Sequence, residues 1–511
     1  MPKGFATTPA GSDIGVLTPI SEYESQTIQP VAVVSHTNSN WTPGQAITFR
    51  WQSSASRWFV PHNSRLKIRL TVKQGAGGAP VSVRLAANAV SHLFSSVRYQ
   101  LNNKTIEHRA SDYGLYANFM TRCSVGKSAS KTAGDASLYS FDRRMSPIGK
   151  DDDLDIPANA ADYAPVHNAD PNHKQMILQK VGTDEFEISE IVHLDCWQGE
   201  QFWPGGSHEL ELLVSQNWDK DFLVSEQVQH TPAYDRNTTT KLDAVDDHQF
   251  RFGAPECFDG GTSAVLVPTI QIKSVEWEAF YATPLVSPMR IPSMQIKYRV
   301  SQFHERRLAG SQFNESFQVQ PGVTGICAFA RIKASNINIR TEQFAAAGAG
   351  VAGGTYGWRL TDGVETGVLR GTTGGTASKA HVLAKAITSF QAELGGKTVP
   401  KQMFTGLNFQ KYQCSRVYSA YLNFMDNAGA TKADMMSLQE FVDSPLIFLH
   451  VLLPPREAAT TLRLTGTLAE ALGATTQQYL SCFTFSNSVL ELLYESNSDE
   501  PTRIRGPEAI V

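Results

Sequence analysis

The chain is poor in cysteine, evenly balanced in charge, and without a long apolar run. Its six cysteines, Cys123, Cys196, Cys257, Cys327, Cys414 and Cys482, are scattered and form no C-x-x-C pair. That argues against a disulfide framework and predicts buried free thiols in a reducing compartment. Lys and Arg number 45 against 49 Asp and Glu, a formal net charge of −4, and no basic run marks an arm. Such a chain has no global attraction to nucleic acid or to an anionic membrane. No apolar stretch approaches the roughly 20 residues of a membrane-spanning helix. A signal-peptide pattern is missing too, so the N-x-S/T triplets at Asn103, Asn237 and Asn314 are expected to be chance matches. There is no G-x-S-x-G elbow and no P-loop.

What the chain does have is one unit that occurs twice. The first copy runs Ser96-Val97-Arg98-Tyr99-Gln100-Leu101-Asn102-Asn103-Lys104-Thr105-Ile106, then Tyr113-x-x-Tyr116-x-Asn118-Phe119-Met120. The second runs Ser389-Phe390-Gln391-Ala392-Glu393-Leu394-Gly395-Gly396-Lys397-Thr398-Val399, then Tyr418-x-x-Tyr421-x-Asn423-Phe424-Met425. Val97, Tyr99 and Leu101 alternate as in a strand with one buried face. Asn102-Asn103 and Gly395-Gly396 suit a tight turn that needs positive φ. Tyr113, Tyr116, Phe119 and Met120 share one face of a helix, with Ser111 or Asp112 as its cap. Two matching blocks in the same order indicate a duplicated domain.

Length agrees, since 511 residues suit two large domains better than one. With 38 Gly, 25 Pro and 26 Phe, many short strands and long excursions, the pattern predicts two β-sandwiches. Residues 1–44 read as an extended N-terminal arm, which either ties a subunit to its neighbours or stays disordered. The first sandwich is expected over 45–283, a linker carrying Pro284, Pro288 and Pro292 over 284–293, the second sandwich over 294–496, and a charged surface tail over 497–511. Polar segments at 125–184 and 341–386 are too long for simple connections.

The phrase Leu93-Phe94-Ser95-x-Val97-x-x-x-Leu101-Asn102, followed by Ile106 and the aromatic helix, resembles the first jelly roll of double jelly-roll major capsid proteins. That lineage is shared by adenoviruses, tailless internal-membrane phages, giant algal viruses, virophages and polinton-like viruses. In length the chain is most similar to the virophage and polinton-like virus members. The second copy has Ile387-Thr388-Ser389-Phe390 in place of Leu-Phe-Ser, so that half rests on the repeat. The resemblance implies an all-β fold of two tandem eight-stranded jelly-roll sandwiches, with short helices and long loop insertions. It implies a structural protein of a DNA virus, a homotrimer of pseudo-hexameric outline that tiles an icosahedral capsid. Its place would be the virion shell, assembled inside the infected host cell. Its partners would be itself, neighbouring trimers, and minor capsid and vertex (penton) proteins. The loops 125–184 and 341–386 would project as towers or clasp neighbours. An acidic chain without a basic arm is not expected to bind nucleic acid sequence-specifically, so an internal membrane or a separate genome-lining protein would lie beneath.

Patterns that imitate active sites are weak. Gly348-x-Gly350-x-x-Gly353 has no preceding apolar strand. Asp151-Asp152-Asp153-Leu154-Asp155 lacks the spacing of a calcium loop. His208-Glu209 and His304-Glu305 lack the second histidine of a zinc protease and read as surface or strand-edge residues. Nothing in the spacing pairs Cys123 with His193. The expectation is no enzyme, with no catalytic, cofactor-binding or metal residues. The alternative is a secreted two-domain jelly-roll protein that binds or cleaves carbohydrate, with Trp197, Trp203 and Trp358 exposed to stack on sugars. A fibre adhesin would need shorter repeats than these.

Overall fold

The structure is a computed structural model. It describes residues 20–31, 41–54, 56–73, 82–85, 89–110, 113–124, 177–178, 185–197, 202–203, 205–215, 218, 223–228, 248–252, 269–284, 293–333, 369–370, 379–380, 387–409, 412–427, 435, 438, 441, 446–451, 461–468, 477–495 and 501–509.

The first sandwich is built from β1 (Ile20–Ile28), β2 (Ala46–Ser53), β3 (Arg65–Lys73), β4 (Phe94–Leu101), β5 (Lys104–Arg109), β6 (Glu185–Ile191), β7 (Gly206–Val214) and β8 (Thr269–Pro284). One sheet has the order β1-β8-β3-β6 and the other β2-β7-β4-β5. The second sandwich is built from β9 (Ser293–Leu308), β10 (Gln312–Gln318), β11 (Val323–Lys333), β12 (Ile387–Leu394), β13 (Lys397–Phe404), β14 (Ile447–His450), β15 (Thr461–Leu468) and β16 (Gln477–Leu493). Its sheets run β9-β16-β11-β14 and β10-β15-β12-β13. Each second-half strand occupies the place of the strand eight earlier. The duplication in sequence is thus a duplication of topology, and each half is an eight-stranded jelly roll with all these neighbours antiparallel.

The two-residue period explains the layers. Val97, Tyr99 and Leu101 on β4 and His208, Leu210 and Leu212 on β7 point into the first core, facing Leu66, Ile68 and Leu70 of β3. Outside, Glu209 and Glu211 pair with Arg50 and Arg98 at 2.6 Å each. The hairpins between β4 and β5 and between β12 and β13 turn on Asn102 (φ 48°) and Asn103 (φ 63°), and on Gly395 (φ 57°) and Gly396 (φ 78°). These left-handed values are why that short turn is written with Asn or Gly in both copies. After each hairpin comes a helix, α1 (Tyr113–Ser124) and α2 (Ser415–Asn427). Residues 111 and 112, the expected caps of α1, lie outside the described residues.

Two corrections concern the ends. The arm expected over 1–44 contains β1, which pairs with β8 from Ile20↔Pro284 to Ile28↔Trp277. The tail expected over 497–511 contains β17 (Arg503–Ala509), which pairs with β16 from Ser488 to Leu493. Both are edge strands held mainly through the backbone, so neither needs the apolar alternation that reveals a central strand. Of the excursion 125–184, described residues before β6 are only Ile177–Leu178. They join Ser82–Leu85, Leu223–Val228 and His248–Phe252 in a small four-stranded sheet.

Candidate functional site

The chemistry-bearing side chains gather where the two jelly rolls meet. Over its first two turns α1 buries Tyr113, Leu115, Tyr116, Ala117, Phe119 and Met120, which span more than one face of a helix. Such a helix needs cover from more than one side. One cover is its own sandwich, through β4 and the helical turn Ala89–His92. A Cβ on Gly114 would collide with the His92 ring, so the close approach requires glycine. The other cover is the second sandwich. The Phe119 ring stacks on Phe483 at 4.4 Å and stands 6.0 Å from Phe485 and 6.2 Å from Phe448. Its counterpart in the repeat, Phe424 of α2, reaches the same face, 4.8 Å from Phe448 and 5.6 Å from Phe485. Gly325 leaves the room that the Phe424 ring fills. The two repeated phenylalanines therefore converge on the outer side of the β9–β16–β11–β14 sheet. Aromatic pairs of this geometry add about 0.5–1.5 kcal/mol each beyond the area they bury.

Beside the aromatic seam lies a buried ionic one. Arg109, at the end of β5, donates from Nε to Glu107 Oε1 (3.0 Å), from Nη2 to Asp195 and to Ser301 Oγ (2.8 Å), and from Nη1 to the Ser301 carbonyl (3.2 Å). Its guanidinium lies over the Tyr116 ring at 3.5 Å. Asp195 accepts from the Ser301 amide (2.6 Å) and from the Tyr116 hydroxyl (2.5 Å). Glu107 accepts from the amides of Asp195 and Cys196 at 3.0 and 2.9 Å. Ser301 belongs to β9, and the other groups to the first sandwich, so these bonds stitch one jelly roll to the next. A third tie is peripheral: Asn102 Nδ2 and Lys104 Nζ donate to the carbonyls of Pro501 and Ile504 at 2.8 Å each.

Burial pushes the Asp195 carboxyl up to about 6; Arg109 opposes that shift, and Glu107 adds to it. Burial disfavours charge on Arg109 as well, but Asp195, Tyr116 and Glu107 outweigh it and raise the guanidinium pKa above its ordinary value. Arg109 thus bonds both carboxylates, Arg299 is a second cation acting on Asp195, and burial is the largest cause of the raised Asp195 pKa.

His208 needs correcting: it is fully buried, not on a surface or strand edge. Ser53 Oγ lies 2.7 Å from its Nε2 and Tyr99 Oη 2.8 Å from its Nδ1, and its ring stacks on Trp51 at 5.3 Å. Burial pushes its pKa down to about 3, so it sits neutral in the core. His304 is half-buried and bonds Thr484 Oγ1 at 3.1 Å, while Glu305 accepts from Ser481 at 3.0 Å. Trp197 and Trp203 are buried against Tyr99, which removes them as platforms for sugars. His193 is half-buried beside α1, its amide bonded to Tyr113 Oη at 2.9 Å, and burial pushes its pKa down to about 4. The side chain of Cys123, the segments Asp151–Asp155 and Gly348–Gly353, and Trp358 lie outside the described residues. Among the described residues no three His, Cys, Asp or Glu side chains gather as a metal site would need. The described cysteines Cys196, Cys327, Cys414 and Cys482 are buried and form no disulfide.

Sequence reasoning missed Arg109, Asp195 and Ser301. A lone acid inside the apolar run Val192-His-Leu-Asp195-Cys-Trp197 was the available clue, since a buried carboxylate requires a partner.

No family profile matches the sequence, and no curated protein does. Solved structures do. A chain in the cryo-EM structure of the Sputnik virophage superposes with a TM-score of 0.53 at 10% identity, covering 95% of this chain and 89% of its own. The mavirus major capsid protein gives 0.45 at 10% identity, over 96% and 90%. A chain of the PBCV-1 virus capsid gives 0.40 at 10% identity, over 92% and 95%. The likeness is one of fold, and it agrees with the strand order: the chain is a double jelly roll.

Proposed function

We propose that this double jelly roll is a major capsid protein, a structural protein rather than an enzyme. Three copies form a pseudo-hexameric trimer, and trimers tile the icosahedral shell of a virion assembled in the infected host cell. The observation that carries the reading is the repetition of one strand permutation in two sandwiches locked by a built seam. A chain that presents two similar blocks in a fixed relation can place six such blocks around a three-fold axis, a near-hexagonal tile. Likeness to a chain of the Sputnik virophage structure supports it. Burial of Trp197 and Trp203 counts against the carbohydrate reading. Neighbouring trimers and minor capsid and vertex proteins are the partners on this reading, with a membrane or a genome-lining protein beneath.

The test is the solution mass of the purified chain with negative-stain images of the same peak. A particle of three times the 56.0 kDa chain mass with a hexagonal outline is expected. A stable two-lobed monomer that never associates would sink the proposal.

A further inference from the structure

A second arginine stands at the seam without the bonds that Arg109 makes. Arg299 is on β9, two residues before Ser301 and on the same side of the sheet. Its guanidinium lies over the rings of Phe424 and Phe485, at 5.5 and 5.8 Å. Nη1 is buried with no hydrogen-bond partner, and among the described residues Arg299 joins no ion pair. Asp195 attracts it from a distance, but the oxygens of that carboxylate are already taken by Arg109, Tyr116 and Ser301. On the other flank, Phe485, Gly325 and His450 are cross-strand neighbours over β16, β11 and β14. Burial pushes the His450 pKa down and the charge of Arg299 pushes it further, so a neutral imidazole stands near the cation.

A buried charge is stable when it is paired and its donors are filled. The two rings offset part of the desolvation of Arg299 but fill no donor. Burial accordingly lowers its pKa to about 10, whereas the carboxylates around Arg109 raise that arginine above its ordinary value. The site is not sealed: Arg299 as a whole is half-buried, and Asn487, opposite it on β16, is exposed.

We infer that Arg299, with the rings of Phe424 and Phe485 behind it and His450 and Asn487 beside it, is a binding site for one carboxylate group. The class of ligand follows from the charge. One cation near a neutral imidazole matches a single negative charge, and the guanidinium fork matches the two oxygens of a carboxylate. A phosphate dianion would call for a second cation, and Arg109 is already paired with Glu107 and Asp195. The aromatic floor suits the hydrocarbon that carries the carboxylate. The inference stands independently of the capsid reading.

The test follows the melting midpoint of the full-length chain through a titration with sodium acetate, sodium chloride holding the ionic strength constant. Wild type, Arg299→Gln, Arg299→Lys and Arg109→Gln are compared. A ligand that binds the folded state raises the midpoint. A saturable rise of a few degrees is expected for wild type, a smaller one for Arg299→Lys, which keeps the charge without the fork, and none for Arg299→Gln. Without acetate, Arg299→Gln should melt at or above the wild-type temperature, because it removes a charge that has no partner. Arg109→Gln should melt well below it, because it strands two carboxylates. Repeating the titration at low and high protein concentration separates the sources. A response independent of concentration assigns the site to a free carboxylic acid, and one that fades as copies associate assigns it to an acidic side chain of another copy; either supports the inference. Equal responses to acetate in wild type and Arg299→Gln would overturn it, since water alone would then satisfy the guanidinium. Arg299→Gln that melts as low as Arg109→Gln, or fails to fold, would overturn it as well, by showing that Arg299 is already paired within the chain.

Discussion

At the scale of single residues, the seam divides its work between hydrocarbon and charge. Phe119 meets Phe483, Phe485 and Phe448 from across the seam, and its ring is fully buried. Phe119→Ala is expected to cost about 3–5 kcal/mol, as is Phe424→Ala, measured by denaturant unfolding; a loss below about 1 kcal/mol at both would deny the packing. Asp195 sets a pH dependence. Its folded pKa of about 6 lies above the ordinary carboxyl value of 3.8, so folded protein holds the proton more tightly than unfolded. The resulting stabilisation is complete below about pH 3.8 and disappears as pH rises through 6. His208 and His193, pushed down to about 3 and 4, act in the opposite sense: the unfolded chain takes up their protons first as pH falls below 6.5. Comparing wild type with Asp195→Asn cancels the histidines. The groups facing Asp195 are Arg109, Glu107, Tyr116, Cys196, Tyr298 and Arg299; Arg109, Tyr116, Cys196 and Tyr298 are raised above their ordinary values, and Arg299 is lowered only to about 10. The stability difference in favour of wild type should grow from pH 7 to pH 5; a difference flat or shrinking over that window would show that Asp195 is already ionised like a surface acid. Legibility at this scale followed phase. His208 was misread because it precedes a glutamate, although it alternates in step with Leu210 and Leu212, and that phase was there to be read. Ser301 was not legible at all, because its partner Asp195 is 106 residues away and only the folded chain brings them together.

At the scale of elements, the repeated strand–turn–strand–helix unit was legible because each part carries its own local rule. The alternation of Val97, Tyr99 and Leu101, the Asn and Gly turns and the Tyr-Tyr-Phe helix face all have a short-range physical cause. β1 and β17 lack one. Glu22 to Thr27 are exposed along their length, so no apolar period marks them, and their place is fixed by the backbone of β8. Trimming the chain tests this. Removal of residues 1–40 reads from sequence as removal of an arm that leaves the trimer folded. The structure makes it the loss of an edge strand that completes the β1-β8-β3-β6 sheet. Such a truncation is expected to lower the melting midpoint and abolish trimers together. Trimers that form normally from the truncated chain would show that β1 is dispensable.

At the scale of the whole molecule, the two sandwiches share one core. Residues of both belong to a continuous apolar cluster, from Phe49 and Leu210 in the first through Phe119 at the seam to Phe485 and Leu464 in the second. Domains joined by polar contacts move and unfold separately. Here the outer side of the β9–β16 sheet, with Phe303, Phe483 and Phe485, is the landing face for α1; without it Phe485 would keep Phe424 of α2 as cover, while Phe483 would lose the Phe119 ring stacked on it. Bare aromatic surface of that kind on a soluble monomer invites aggregation. The second sandwich expressed alone, residues 293–511, is therefore expected to bind hydrophobic dyes and to self-associate. The full chain should unfold in a single calorimetric transition, with van't Hoff and calorimetric enthalpies equal. Two resolved transitions, or a monodisperse isolated half with no dye binding, would mean that the seam is only a contact between independent domains. In that case two rigidly related blocks per chain could not set the hexagonal outline, so this experiment bears on assembly as directly as on stability.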